Sequence, residues 1–333
     1  MRPDLKMVLD WTVLEIDARS EVERIGRALH DSVATVLRKR GAVVAISGGV
    51  DSAVCAALAV RAVGPERVPA LILPERESSP EISVRARSLA AHLGIAPVEQ
   101  DIGPTLEAIG CYRSRDEAAR RVLPGYGAGW RMKIVVAGGL EGRINHFHLV
   151  AQSPDGAHHE ARLGLREYLQ IVAATSFKQR VRKTIEYFHA DRLNYAVIGT
   201  PNRLEYDQGF FVKNGDGAAD IKPIAHLYKT QVYAIAQYLR LPEEIATAPA
   251  TTDTYSLSQG QDEFYFALPY RQMDLALWAL NHGIASEVLA EALGVSPEKA
   301  EHVYADIRAK RRATHYLHIQ PLLLGPVPEI DCA

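Results

Sequence analysis

Between residues 20 and 40 the apolar positions Ile25, Leu29, Val33, Val36 and Leu37 recur every three or four residues. That spacing puts one apolar stripe on a helix. Arg38-Lys39-Arg40-Gly41 closes it, with cations at the negative end of the helix dipole and glycine after the last turn. The period then changes. Ala42-Val43-Val44-Ala45-Ile46 is a continuous apolar run, the pattern of a strand buried on both faces, and an Ala-rich helix follows from Ser52 to about Val63. A second strand is expected over 68–73, a helix over 83–93 ended by Gly94, and a third strand over 97–102. The β-α-β-α-β order predicts an α/β fold with a doubly wound, mostly parallel sheet flanked by helices.

The pattern is less regular over residues 110–165. There 133–137 and 145–150 are expected to pair as an inserted hairpin across Gly138-Gly139-Leu140-Glu141-Gly142. A long helix over 168–188, a further sheet strand over 195–198 and a helix over 228–240 follow, the last with Val232, Ile235, Ala236 and Leu239 on one face. The C-terminal part, 269–313, reads as several helices, one of them capped by Ser296 with Pro297 at its first position.

Composition narrows the class. A chain of 333 residues with 47% apolar and 23% charged content suits a globular enzyme, read here as a single domain over 1–333. A net charge of −2 lacks the basic excess of a protein that holds a long nucleic acid. Cys55, Cys111 and Cys332 are scattered and form no CxxC, which fits a reducing compartment and gives no zinc knuckle. The N-terminus carries no signal-peptide pattern, and no apolar run approaches the roughly 18 residues of a membrane span. The expectation is a cytoplasmic protein with neither nucleic acid nor membrane as partner.

The candidate chemistry begins directly after the first strand, at Ser47-Gly48-Gly49-Val50-Asp51-Ser52. Glycines let backbone N–H groups approach an anion, and the following helix adds its positive dipole end. Ser47 and Ser52 offer hydroxyls to phosphate oxygens. Asp51 would repel a phosphate unless a cation lies between them, which argues for Mg²⁺. The P-loop pattern Gly-x-x-x-x-Gly-Lys-Ser/Thr is absent. SGGVDS resembles the pyrophosphate loop of the ATP pyrophosphatases, enzymes that cleave ATP between the α- and β-phosphates and adenylate a substrate oxygen. The loop alone leaves amide ligases, tRNA-modifying enzymes and sulfur-transfer enzymes open.

A second constellation is more specific. Gly199-Thr200-Pro201-Asn202-Arg203-Leu204-Glu205 follows the strand at 195–198. Gly209-Phe210-Phe211-Val212-Lys213-Asn214-Gly215-Asp216-Gly217-Ala218-Ala219-Asp220 comes next, and then Leu227-Tyr228-Lys229-Thr230-Gln231-Val232. In this order the motifs resemble ammonia-dependent NAD synthetase over most of residues 40–270. The resemblance implies an adenine nucleotide alpha hydrolase-like fold and binding of ATP with Mg²⁺. It places Asp51 and Glu205 on the metal, Thr200 near the nucleotide, and Lys229 on a phosphate. It also carries Lys178, Arg180 and Arg182 from a basic helix motif, with Ser176 where the family has Asn. Lys213, Asp216 and Asp220 follow from the GDG block. In Ala248-Pro249-Ala250-Thr251-Thr252-Asp253 it gives Thr251 a pyrophosphate contact and Asp253 a part in positioning or deprotonating ammonia.

The implied reaction adenylates the carboxylate of deamido-NAD and transfers ammonia to it, giving NAD, AMP and pyrophosphate, in a homodimer. The chain departs from compact family members at 110–165, read as extra interface or an altered acceptor pocket. His146, His148, His158 and His159 lack a third ligand of clear spacing, so a metal site there is not expected. No glutaminase domain is legible, so ammonia arrives free or from a separate protein. The rivals are a same-fold ligase acting on another carboxylate, a tRNA thiolation or lysidine-forming enzyme, and a non-catalytic binding protein. Ala292–Pro297 also admits a DNA-binding helix-turn-helix, better explained as a helical pair.

Overall fold

The computed structural model describes residues 9–137, 146–249, 251–252, 255–257, 259–260, 265–266, 268–325 and 327. The apolar run after Gly41 becomes β1 (Ala42–Ala45), an interior strand of a four-stranded parallel sheet. On one side lie β2 (Ala70–Ile72) and then β3 (Pro97–Glu99), in register Val44 with Ala70 and Leu71 with Val98. On the other lies the strand of residues Ala196–Val197, paired Ala42 with Ala196 and Val43 with Val197. The chain thus winds away from β1 in one direction and returns on its opposite side. The order reverses between β1 and that strand, the place where open α/β sheets form a ligand crevice.

The helices α1 (Ala18–Asp31), α2 (Val50–Val63) and α3 (Pro80–Leu93) follow the expected order. The helix expected over 20–40 ends earlier. Ser32–Val36 is a wider π-type turn, with the Leu37 amide donating to Ser32 at 2.9 Å, and Arg38 adopts φ +53°. The extra residue in that turn shifts the phase of the stripe, so Val36 is 75% exposed while Leu37 still packs against the core. The third strand is also shorter than 97–102. The Gln100 and Ile102 amides still reach Ile72 and Pro74, but α4 (Gly103–Ala108) begins at once.

Residues 110–165 hold more order than their pattern suggests. α5 (Cys111–Val122) packs against the long α6 (Leu165–Leu193), which extends past the expected 168–188 at both ends. Between them β4 (Arg131–Ala137), β5 (His146–Gln152) and β6 (His158–Arg162) form an antiparallel sheet. The expected hairpin is its first pair, in register Val135 with His148 and Lys133 with Val150; its connection, 138–145, lies outside the described residues. The edge strand β6 escaped the pattern because His158-His159-Glu160-Ala161-Arg162 has a single apolar residue, and charged, exposed sequences are common at sheet edges.

The strand Ala196–Val197 is β7. It leads to α7 (Arg203–Gln208), α8 (Lys229–Tyr238) and α9 (Glu243–Ala246), and then to the short pair β8 (Thr251–Thr252) and β9 (Gln259–Gly260). The C-terminal helices are α10 (Tyr270–Asn281), α11 (Ser286–Leu293) and α12 (Pro297–His318). Ser296 caps α12 by accepting the Lys299 amide at 3.3 Å. These helices bury Leu275, Leu277, Leu289, Tyr304 and Ile307 in a cluster that also takes in Leu204 of α7 and Tyr228. Cys55 and Cys111 are buried free thiols, and Cys332 lies outside the described residues. Among the described residues no helix is long and apolar enough to cross a membrane.

Candidate active site

A cleft of about 990 Å³ opens at the C-terminal ends of β1, β2 and β7. Ser47 through Ser52 line it. Gly48 needs its lack of a side chain: φ is +74°, and a Cβ would stand 2.9 Å from the Ile82 carbonyl of α3. The Ser52 hydroxyl donates to the Gly49 carbonyl at 3.0 Å and accepts the Ser47 amide at 3.2 Å, which locks the turn into the first turn of α2. The first amides of a helix have no intrahelical partner, so this turn presents donors and a positive dipole end to the cleft.

Asp51, in that first turn, is held from two other elements. Its Oδ2 pairs with the ammonium of Lys229, the first residue of α8, and its Oδ1 accepts from Asn202 Nδ2 at 3.1 Å. Asn202 is 1% exposed and caps α7, accepting the Leu204 and Glu205 amides at 2.9 and 3.3 Å. Glu205 Oε2 returns a bond from the Asn202 amide at 3.1 Å, completing a capping box. Asn202 therefore ties the two carboxylates of the site together. Burial works against the charge on Lys229, but Asp51 and Glu205 outweigh it and raise the ammonium above the ordinary lysine range. Burial, then Asp51 and Glu205, likewise raise the Cys55 thiol and leave it inert. Asp51 and Glu205 line the cleft together with the glycine turn, and carboxylate oxygens are of the hard type that Mg²⁺ takes.

The start of α8 has a further support. Tyr228 stands at the cap position, where its side chain makes no cap bond. Instead Asp274 of α10, fully buried, accepts the Lys229 amide at 3.2 Å and the Thr230 amide and hydroxyl at 2.7 and 2.8 Å. Burial pushes its carboxyl up to about 7, against the pull of the Thr230 and Lys229 bonds.

Part of the cleft lining is aromatic and comes in part from the inserted sheet. Val136 of β4, Phe147 of β5 and Tyr168 of α6 line it, with the last two rings stacked 3.8 Å apart. Phe210, Phe211, Tyr255, Tyr265 and Phe266 add to it. Gln179, Arg182, Lys183 and Glu186 of α6 line the cleft as well. Lys183 and Glu186 pair at 2.7 Å although both are buried.

The description "NAD synthase" belongs to a family model that matches residues 21–139 and 150–315, well over half of the chain. The chain belongs to the NAD synthase family. Among its relatives, the NH(3)-dependent NAD(+) synthetase of Rhizobium meliloti (strain 1021) is 54% identical over 333 residues, 99% of each chain. The enzyme of that name from Mesorhizobium japonicum is 55% identical over 318 residues, 95% of this chain and 100% of its own. The fold is shared with the NMN synthetase of Francisella tularensis (TM-score 0.64, 24% identity, 94% of this chain and 100% of that one). It is shared also with an NH3-dependent NAD synthetase of Campylobacter jejuni (TM-score 0.62, 21% identity, 93% and 100%).

Not every residue that the motifs nominate reaches the cleft. Ser47, Gly48, Gly49, Val50, Asp51, Ser52, Thr200, Glu205, Arg182, Asp216 and Lys229 line it. Lys178 does not. Its ammonium is buried between Glu75 and Glu77, 2.8 Å from each, although it shares a helix face with Arg182. Arg180 turns to the Lys213 carbonyl at 3.3 Å, and Lys213 reaches the Tyr316 carbonyl at 2.9 Å; neither lines the cleft. Asp220 accepts the Val197 amide at 2.7 Å and so holds the end of β7. Asp216 closes its own loop by accepting the Val212 amide at 2.7 Å, and burial raises its carboxyl. The backbone of Thr251 lies in β8, but its side chain and all of Asp253 fall outside the described residues.

Three features escaped the motifs. Asn202 stands within the Gly199–Glu205 motif, which assigns it no role, although Asn202-Arg203-Leu204-Glu205 has the spacing of a capping box. Glu75 and Glu77 gave no signal. Asp274 gave a faint one, as a lone acid in the apolar run Met273-Asp274-Leu275-Ala276-Leu277. On the inserted sheet, His148 bonds Glu160 at 2.5 Å, His146 meets Arg162 at 2.9 Å and His159 stacks on Trp130.

Proposed function

We propose that this cleft converts deamido-NAD, ATP and ammonia into NAD, AMP and pyrophosphate. The observation that carries the reading is the meeting of Asp51, Asn202, Glu205 and Lys229 beside the glycine turn, at the point where the strand order reverses. The ATP phosphates lie along Ser47–Ser52. A carboxylate oxygen of the acceptor attacks the α-phosphorus, and the bond to the β-phosphate oxygen breaks. Lys229 balances the charge that gathers on the departing pyrophosphate. Ammonia then attacks the acyl carbon, sheds a proton, and the carbon–oxygen bond to AMP breaks. Adenylation turns a poor electrophile into one with a good leaving group, so the protein's part is positioning and charge stabilisation.

Asp51 and Glu205 would hold Mg²⁺, which when bound offsets the charge of the β- and γ-phosphates. Thr251 would donate to the pyrophosphate, and Asp253 would position or deprotonate ammonia. The stacked Phe147 and Tyr168 support the aromatic wall as the seat of the nicotinate ring. We also infer a homodimer in the cytoplasm. Leu165 and Leu169, exposed four residues apart on α6, support a second copy as partner.

The test mixes protein with ATP, Mg²⁺, an ammonium salt and deamido-NAD, and quantifies NAD and AMP, with Asp51→Ala as control. NAD and AMP should form in equal amounts and vanish in the variant. Turnover only when other carboxylates are offered would refute deamido-NAD as acceptor.

A further inference from the structure

We propose that Asp274 is a positioning residue for Lys229: from α10 its buried carboxylate caps α8 and so fixes where the lysine meets Asp51. The inference rests on the reading of Lys229 as the phosphate-side cation of the site. Three donors converge on the carboxylate: the amides of Lys229 and Thr230 and the Thr230 hydroxyl. A helix needs an acceptor at its start, and tyrosine at the cap position supplies none here. The usual remedy is a Ser, Thr, Asp or Asn at the cap itself. This chain instead takes the acceptor from another helix and buries it completely.

Burying a carboxylate is costly unless it is fully bonded, and here the three donors supply the bonds, while an apolar residue in its place would leave the Lys229 and Thr230 donors unpaired. What the carboxylate adds is register. Lys229 is bonded at both ends, its amide to Asp274 and its ammonium to Asp51. The lysine is buried along its length, so a displaced helix start displaces the ammonium as well. A misplacement of about 1 Å in such a site costs up to roughly 100-fold in rate.

The test compares Asp274→Asn, Lys229→Met and the double variant in the full-length protein. Asparagine preserves the shape and leaves an oxygen for Thr230. It sets an N–H donor against the Lys229 amide where Oδ1 now accepts. Asp274→Asn should lower kcat/KM for ATP by about tenfold or more, with KM for ammonium within about twofold of the parent. Its melting temperature should stay within a few degrees. In the Lys229→Met background the same change should add nothing, because its effect passes through the lysine. Thr230→Val, which removes one bond and leaves the carboxylate, should give a smaller loss of the same kind and serves if Asp274→Asn does not fold. Losses that multiply in the double variant, or activity that follows the folded fraction alone, would overturn the proposal. Equilibrium binding of ATP to the same variants separates the two readings: if no NAD is formed by the parent protein, the function fails, while ATP affinity still reports whether Asp274 acts through Lys229.

Discussion

Replacing Lys178 with Met decides whether that lysine serves a ligand or the fold. The motif around it nominates a phosphate contact. The structure buries it instead in a network: Lys178 to Glu75 and Glu77, Arg115 to Glu77 at 2.5 and 2.6 Å, and the Tyr112 hydroxyl to Glu75 at 2.6 Å. The network ties the segment after β2, which leads into α3, to α5 and α6. Methionine fills most of the lysine volume but leaves Glu75, whose side chain has no solvent exposure, without its cation. Removing one partner of a buried pair costs about 3–5 kcal/mol, chiefly because the remaining charge is left uncompensated. An unfolding entropy near 2.1 cal/mol/K per residue makes that a fall in melting temperature of roughly 4–7 °C for a chain of 333 residues.

The assay is a thermal melt alongside steady-state kinetics at a temperature where the variant stays folded. The expected result is a lowered melt with KM for ATP within about threefold of the parent, since Lys178 does not line the cleft. A melt left in place with KM for ATP raised tenfold would refute the structural role and restore the phosphate contact. Arg182 gives the contrast. It lines the cleft and donates to the Leu73 carbonyl at 3.2 Å.

Three further substitutions probe the network and the glycine turn. Burial works against ionisation of Glu77, but Lys178 and Arg115 prevail and hold it at about 2, below its ordinary 4.5. A depressed carboxyl stabilises the fold above its unfolded pKa, and that stability is lost as pH falls from about 4.5 towards 2; a shift of this size is on the order of 3 kcal/mol. Denaturant midpoints measured from pH 5 to 2.5 should fall in the parent and fall less steeply in Glu77→Gln; parallel curves would contradict the assignment. Gly48→Ala should cost about 1–2 kcal/mol for its left-handed backbone and raise KM for ATP, because the new Cβ presses on Ile82. Gly26→Ala, in α1 with open space around it, should stabilise the protein by about 0.5–1 kcal/mol. Equal effects on ATP binding from both alanines would refute a role for the glycine turn in holding the nucleotide.

What was legible in the sequence is what short, contiguous patterns dictate. The run Ala42–Ile46 before SGGVDS specified a buried strand, a glycine turn and a helix start, and all three lie within about ten residues of one another. The alternation of such units gave the parallel sheet and its crevice. The π-type turn at Ser32–Val36 was not legible because a stripe of five apolar residues reads alike with or without one inserted residue. The strand β6 was hidden by its charge, which suits a sheet edge and also suits a loop.

Lys178 and Lys229 show why side-chain roles resist reading even inside a motif. Each is a lysine on a helix, nominated for a phosphate by its neighbours in sequence. Their fates are set by carboxylates 101 and 178 residues away, Glu77 for one and Asp51 for the other. Asp51 lines the cleft, so its lysine is delivered to the cleft. Glu75 and Glu77 draw the other lysine into the body of the protein. An ammonium goes where its uncompensated partner is buried, because the unpaired alternative is the costliest state available to either group. Lys229 has the added constraint that α8 begins with it, so its backbone is fixed by whatever caps the helix. That acceptor, Asp274, lies 45 residues further on in a helix whose apolar pattern gave it no other reason to be there. The chemistry of the cleft is therefore written locally, and the aim of Lys229 is written in the packing of α8 against α10.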